Sequence, residues 1–176
     1  MRIKQAMQGG GLVEVLVALV LMSVGMLGML AAHSTALRWT KQSEHRSTAL
    51  WLTQDLAERV RANRGKSVPA DTLGAAYVTT LDASSQAQAP DMPDELCNRV
   101  QSACTVAQMA AADLASWRRL VRERLPGGVV WVAYTAGTLD IWVSWLDAPD
   151  DVSTVCPSGL RVSDAAQRCF LWQVTL

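Results

Sequence analysis

The sequence predicts an α+β chain: a long N-terminal helix with a membrane-grade first half, a second helix in the connecting region, and a small set of antiparallel strands. Three observations predict it. From Leu12 to Ala32, 21 residues carry one charge, Glu14. Residues 33–62 continue without Pro or Gly, and Ala49, Leu52, Leu56 and Val60 recur at helical spacing. Residues 129–176 hold three runs rich in β-branched and aromatic residues, two of them joined by a short turn. The 176-residue length suits one domain plus an appendage. Half the residues are hydrophobic and 18% are charged, which excludes an intrinsically disordered chain. Sixteen Lys and Arg balance sixteen Asp and Glu, so no global charge marks a nucleic-acid binder.

The first element begins with a basic head, Arg2 and Lys4. A basic head before an apolar run fits a secretory signal, a membrane anchor or a specialised leader. A cleaved signal has an apolar core of only ~7–15 residues. Here Val15 to Ala32 is unbroken for 18 residues. As helix that is ~27 Å, close to the ~30 Å hydrocarbon core. Leu30-Ala31-Ala32 resembles a signal cleavage site and keeps that reading open. No Cys follows the run closely, which argues against a lipoprotein anchor. Glu14 is the anomaly, because an acid costs ~2.5–3.5 kcal/mol at a bilayer centre and less towards its edge. It either sits at the interface in the first helical turn, where the helix dipole favours it, or has a dedicated positive partner. An α-amino group at Gly10 would lie one turn away.

Met7-Gln8-Gly9-Gly10-Gly11-Leu12-Val13-Glu14-Val15-Leu16-Val17-Ala18-Leu19 resembles the class III leader junction of type IV pilins and pseudopilins. The resemblance implies a prepilin peptidase that cuts after glycine, N-methylation of the new first residue, and a glutamate at mature position five. Matched on Glu14, the cut falls between Gly9 and Gly10, with methylation at Gly10 and Glu14 neutralising the new N-terminus. The leader is then residues 1–9, the transmembrane or filament-core half of the helix 10–33, its periplasmic half 34–65, and the globular domain 66–176. Gly10 and Gly11 stand where the family usually has a large apolar residue followed by a polar one.

The helix is expected from about 12 to 63, ~78 Å at full length, and Asn63-Arg64-Gly65 stops it. Gly25 and Gly28 permit close helix packing, or are ordinary glycines of a membrane helix. Residues 66–96, with Pro69, Pro90 and Pro93, read as loop, with a short strand over Tyr77–Leu81. A helix follows at about 105–124, with Leu114, Trp117, Leu120, Val121 and Leu125 inward and Leu125-Pro126-Gly127-Gly128 as its stop. Strands are expected at about 129–135, 139–146 and 169–176, the first two joined at Ala136-Gly137-Thr138. Trp131, Trp142, Trp145 and Trp172 fall on them, and parity puts Trp142 and Trp145 on opposite faces. The core reading is the simpler one for these rings; a set left exposed would be available to a neighbouring subunit or ligand.

Leu56-Ala57-Glu58-Arg59-Val60-Arg61-Ala62-Asn63-Arg64 resembles the end of the first helix in PilV-type minor pilins, and Cys104, Asp113-Leu114, Trp117, Leu125-Pro126-Gly127-Gly128 and Val143-Ser144-Trp145 follow in that subfamily's order. The order of helix, loop and antiparallel strands matches the α/β-roll that the resemblance implies, with the second half of the long helix packed on a small antiparallel sheet.

Cys97, Cys104, Cys156 and Cys169 all follow the apolar run, in the part that a pilin exposes to the oxidising periplasm. Of three pairings, Cys97–Cys104 and Cys156–Cys169 are favoured, because each brackets one loop. Six and twelve residues separate these cysteines, against two to four between zinc ligands, so no metal is expected. His33 and His45 read as interfacial or solvated, without an orienting acid or a nucleophile elbow. No phosphate loop, dinucleotide fingerprint or HExxH motif occurs, and no cofactor is expected. Arg118, Arg119, Arg122 and Arg124, with Arg59, Arg61, Arg64 and Lys66, raise the idea of DNA binding. Without Arg2 and Lys4 the chain carries 14 basic and 16 acidic residues, a net −2, and DNA is not expected as a partner.

The expected function is that of a PilV-like minor type IV pilin: a non-enzymatic subunit in pilus assembly or priming. The expected partners are other minor pilins, the major pilin, the prepilin peptidase, the inner-membrane assembly machinery and inner-membrane lipid. The expected location is a single pass of the bacterial inner membrane with a periplasmic globular part, then the pilus at the cell surface. The alternatives are a minor pseudopilin of type II secretion, and a membrane-anchored periplasmic protein with an enzymatic, ligand-binding or DNA-binding role.

Overall fold

A computed structural model describes residues 11–65, 68–79, 86, 91, 97, 104–147, 156–157, 160 and 167–176. Its elements run α1 (Gly11–Asn63), α2 (Ala70–Ala76), α3 (Val106–Arg124), β1 (Val129–Thr135), β2 (Thr138–Leu146) and β3 (Gln167–Thr175). The expected leader, with Gly9 and Gly10, lies outside the described residues. The chain divides into two compact units, residues 1–41 and 42–176.

In the first unit every described residue is helical and exposed. The helix is apolar all round, from Leu12 to Leu30. Its four hydroxyls bond back to the helix's own carbonyls: Ser23 to Val20, Ser34 and Thr35 to Ala31, and Thr40 to Ala36. Each side chain therefore brings its own acceptor into an apolar surround.

The second unit is built on the rest of α1. Ala49, Leu52, Leu56, Ala57 and Val60 are buried at spacings of three and four, as their periodicity predicts. They face a three-stranded antiparallel sheet in the order β1-β2-β3. Its inner rows are Val130–Val143–Phe170, Val132–Ile141–Trp172 and Tyr134–Leu139–Val174. α3 closes the core with Trp117 and Val121. Its start is held by a reciprocal capping box: Thr105 Oγ1 accepts from Gln108 N, and Gln108 Oε1 accepts from Thr105 N at 2.9 Å. Trp117 Nε1 donates to Leu52 O at 2.7 Å, which sets the approach of α3 to α1.

The stretch expected as loop contains α2. Pro69 presets φ before it (−61°), Ala-rich sequence favours helix, and Leu73 and Tyr77, four apart, both reach the core. Gly74 permits the packing, because a Cβ there would lie 2.3 Å from the Tyr134 ring. The strand expected at Tyr77–Leu81 does not form over its described residues: Tyr77 caps α2, and Val78 and Thr79 carry no strand. Tyr77 owes its burial to a helix end rather than to a sheet.

The β1–β2 turn has positive φ at both central residues, Ala136 (47°) and Gly137 (86°), the backbone that matches a right-handed strand twist. The outer edge of β1 is closed by single residues. Thr79 N donates to Val132 O at 3.0 Å, and Val132 N donates to Thr79 Oγ1 at 2.9 Å. Gln86 does the same for Val130 with its side-chain amide, receiving Val130 N at 2.8 Å and donating to Val130 O.

Candidate functional site

Glu14 lies in the first turn of α1, exposed, among backbone N–H groups that have no partner within the helix. The macrodipole favours its charge there. Around it Leu12, Val13, Val15, Leu16 and Val17 are all more than half exposed. A helix apolar on every side is stable only inside a membrane or a helix bundle. The first unit thus has the chemistry of an insertion or packing element, with one carboxylate at its end. By length and composition the helix is able to cross a membrane.

The second unit carries two disulfides. Cys97–Cys104 has Cα atoms 5.9 Å apart, and Cys156–Cys169 has them 5.5 Å apart. The second ties Cys156 to β3. Nearby, Leu160 is buried against Val129, with Trp131 and Trp142 packed around it. Gln167 Nε2 donates to Ser144 Oγ at 2.8 Å and to Leu160 O at 2.5 Å, holding this cover on the outer sheet face. Trp131 and Trp142 are cross-strand partners, half-buried, on that face. Trp145 and Trp172 lie on the inner face.

A polar network joins α1, α2 and α3. Tyr77 OH donates to Asp113 Oδ2 at 2.6 Å and accepts from Asn63 Nδ2 at 3.1 Å. Asn63 Nδ2 also reaches Val106 O at 3.0 Å. Arg59 bonds Asp55 at 2.8 Å and Ser116 Oγ at 3.0 Å, and lies 3.6 Å from Asp113 Oδ1. Burial, reinforced by the Asp113 carboxylate, pushes the Tyr77 phenol far above its ordinary value. Every member of this network has a partner, the condition under which a buried polar cluster stabilises a fold.

The described basic residues differ in their surroundings, and Lys66 lies outside the described residues. Arg59 belongs to the network above, and Arg61 pairs with Glu58. Arg122 is half-buried and donates to Gln86 O, while Arg118 is half-buried with a buried Nε that has no hydrogen-bond partner. Burial and the neighbouring Arg122 lower the Arg118 pKa. Arg119 and Arg124 remain exposed. His33 is exposed, but His45 departs from the solvated reading. It is half-buried, with Nδ1 3.9 Å from Asp147 Oδ2, and Asp147 accepts Trp145 Nε1 at 3.3 Å. The acid arrives from the end of β2, about a hundred residues away in sequence, which is why no local pattern shows it. His45 Nδ1 is buried and makes no hydrogen bond among the described residues.

Sequence reasoning missed the closure of β1 by Thr79 and Gln86. Both lie in a stretch with loop composition, and nothing local signals a single amide standing in for a strand. Residues 31–115 match the family model described as type IV pilin Tt1218, of the Tt1218-like family. Comparison with curated proteins and with solved structures yields no match.

Proposed function

We propose that this chain, which belongs to the type IV pilin family, is a minor pilin that primes or joins pilus assembly and has no enzymatic role. The observation that carries the proposal is the first unit: a helix exposed and apolar on every side. A structural subunit needs such an element twice, in lipid before assembly and among other helices afterwards. Burying each Leu, Val or Met side chain is worth ~1.5–3 kcal/mol, so its many apolar residues make either environment strongly favourable.

In this reading the peptidase removes residues 1–9 and Gly10 becomes the methylated N-terminus. Glu14, one turn into the helix, then pairs with a positive amine, its own or a neighbour's. The pairing removes the penalty of an isolated buried carboxylate and gives the helix a register along its neighbours. The periplasmic unit, closed by Cys97–Cys104 and Cys156–Cys169, supplies lateral contacts with other minor pilins and the major pilin. The likeness in residues 56–64 and 104–145 to PilV-type subunits supports the minor rather than the major role.

N-terminal sequencing and intact mass of the membrane protein, with and without a prepilin peptidase, test the processing. A peptidase-dependent start at Gly10 is expected. A start near His33 refutes it in favour of a signal peptide. Glu14→Ala tests the assembly role: the variant should reach the membrane yet fail to enter filaments, and normal piliation would sink the proposal.

A further inference from the structure

The two edges of the sheet are finished differently. Val130 and Val132 turn their N–H and C=O groups outward, into Gln86 and Thr79. An antiparallel ladder alternates, so their partners Val143 and Ile141 turn these groups towards β3, onto Phe170 and Trp172. Leu176, of the same parity, donates to Gly137 O at 2.9 Å, as this phase requires. The remaining parity, Cys169, Leu171, Gln173 and Thr175, therefore points its N–H and C=O away from β2. None of these outward backbone groups bonds a described residue.

This edge also lacks the usual protection. Cys169–Thr175 contains no charge, no Pro and no Gly. Phe170, Leu171 and Trp172 are half-buried along it, with apolar surface left open on both faces. The opposite edge is closed at Val130 and Val132, so exposure here is not general neglect of sheet edges.

We propose that the open edge of β3 is a strand-addition site for an extended segment of a different filament subunit. The proposal rests on the pilin reading above. The segment is uncharged over about four residues, with apolar side chains beside Phe170 and Trp172 on one face and Leu171 on the other. Main-chain bonds give such a contact its affinity and the flanking side chains give it specificity. A second copy of this chain is the wrong occupant. Joining β3 to β3 makes an isologous pair that closes on itself, whereas filament subunits meet through unlike surfaces.

A photoreactive residue at position 175 of the full-length chain, in cells that assemble the filament, tests this. The cross-link should map to one short segment of another pilus subunit. Gln173→Pro removes an outward N–H without touching the ladder to β2 and should cut the cross-link ~10-fold. Gln173→Ala, which also loses the side-chain bond to Asp140 but keeps the N–H, should leave the cross-link intact. A cross-link to residues 148–166 of the same chain, to a second copy, or to nothing overturns the proposal; so does equal loss in both variants. Should Gln173→Pro fail to fold, amide exchange of the unaltered chain decides: the Leu171, Gln173 and Thr175 amides should slow ~10-fold on assembly relative to the chain alone in detergent, and unchanged exchange overturns the site. A chain that enters filaments without the cross-link refutes the edge alone. A cross-link to a non-pilus protein, with no incorporation, refutes the pilin reading instead.

Discussion

Tyr77→Phe isolates the network that locks α1, α2 and α3 together. The substitution keeps the buried ring and removes one oxygen. Asp113 then loses a 2.6 Å donor, and Asn63 loses one of its two acceptors but keeps Val106 O. Asp113 retains Arg59 at 3.6 Å, so its charge is not left alone. A hydrogen bond to a charged group contributes ~1.5–3 kcal/mol, and the weakened Asn63 adds a smaller part, for a loss of ~2–3 kcal/mol in all. For a unit of this size the melting temperature should fall by ~6–12 °C. The alkaline limb is the sharper readout. The folded phenol titrates well above its unfolded value of 10.0. Its stabilisation is therefore fully present below pH 10 and is lost as pH rises from there towards the folded pKa. Urea unfolding of the oxidised full-length chain in detergent, followed by tryptophan fluorescence between pH 7 and 11.5, measures both. Tyr77→Phe should be weaker at pH 7 and lose less on going to high pH. A variant within ~0.5 kcal/mol of the parent, the usual range for a surface change, or one with an unchanged alkaline limb, refutes the reasoning.

Gly74→Ala should cost ~1–3 kcal/mol, since its Cβ would meet the Tyr134 ring at 2.3 Å, and Tyr134→Ala should recover part of that loss in the double variant, read by thermal melting. Ala136→Gly should stabilise by ~0.5–1 kcal/mol, because Ala136 holds φ at 47° in the hairpin turn; a loss in urea melts would contradict the turn geometry. Gln86→Ala strips both partners from Val130 and should cost ~2–3 kcal/mol. It should also raise aggregation seen by light scattering, because it reopens the β1 edge.

The long helix, α3 and the three strands were legible because each rests on a local signal. Periodicity placed Ala49, Leu52, Leu56 and Val60 on one face, and proline and glycine marked the ends of α3 and the hairpin. α2 was not legible. Seven residues are too few to show a period, and Pro69 reads equally as a loop breaker or a helix start. The His45–Asp147 approach and the Tyr77–Asp113 bond were out of reach for another reason. They join residues 102 and 36 positions apart, and such pairings are set by tertiary packing rather than by any pattern in the chain. As a string the basic residues look like a patch, but packing leaves Arg59, Arg118 and Arg122 half-buried, which the string does not show.

The two units meet their needs by different physics, and the division suits a subunit that changes surroundings. Among the described residues, the core of the second unit begins at Ala49, and its disulfides lie within residues 97–169. The first unit differs. Its helix buries no side chain of its own, so its backbone bonds and four back-bonded hydroxyls keep it helical while the surroundings supply the driving force. Lipid and a bundle of apolar helices are similar solvents for Leu and Val, and transfer between them costs little on that account. What differs between them is the environment of charge. Glu14 is the one charge between Leu12 and Ala32, so it is the residue of that run whose cost depends most on the surroundings.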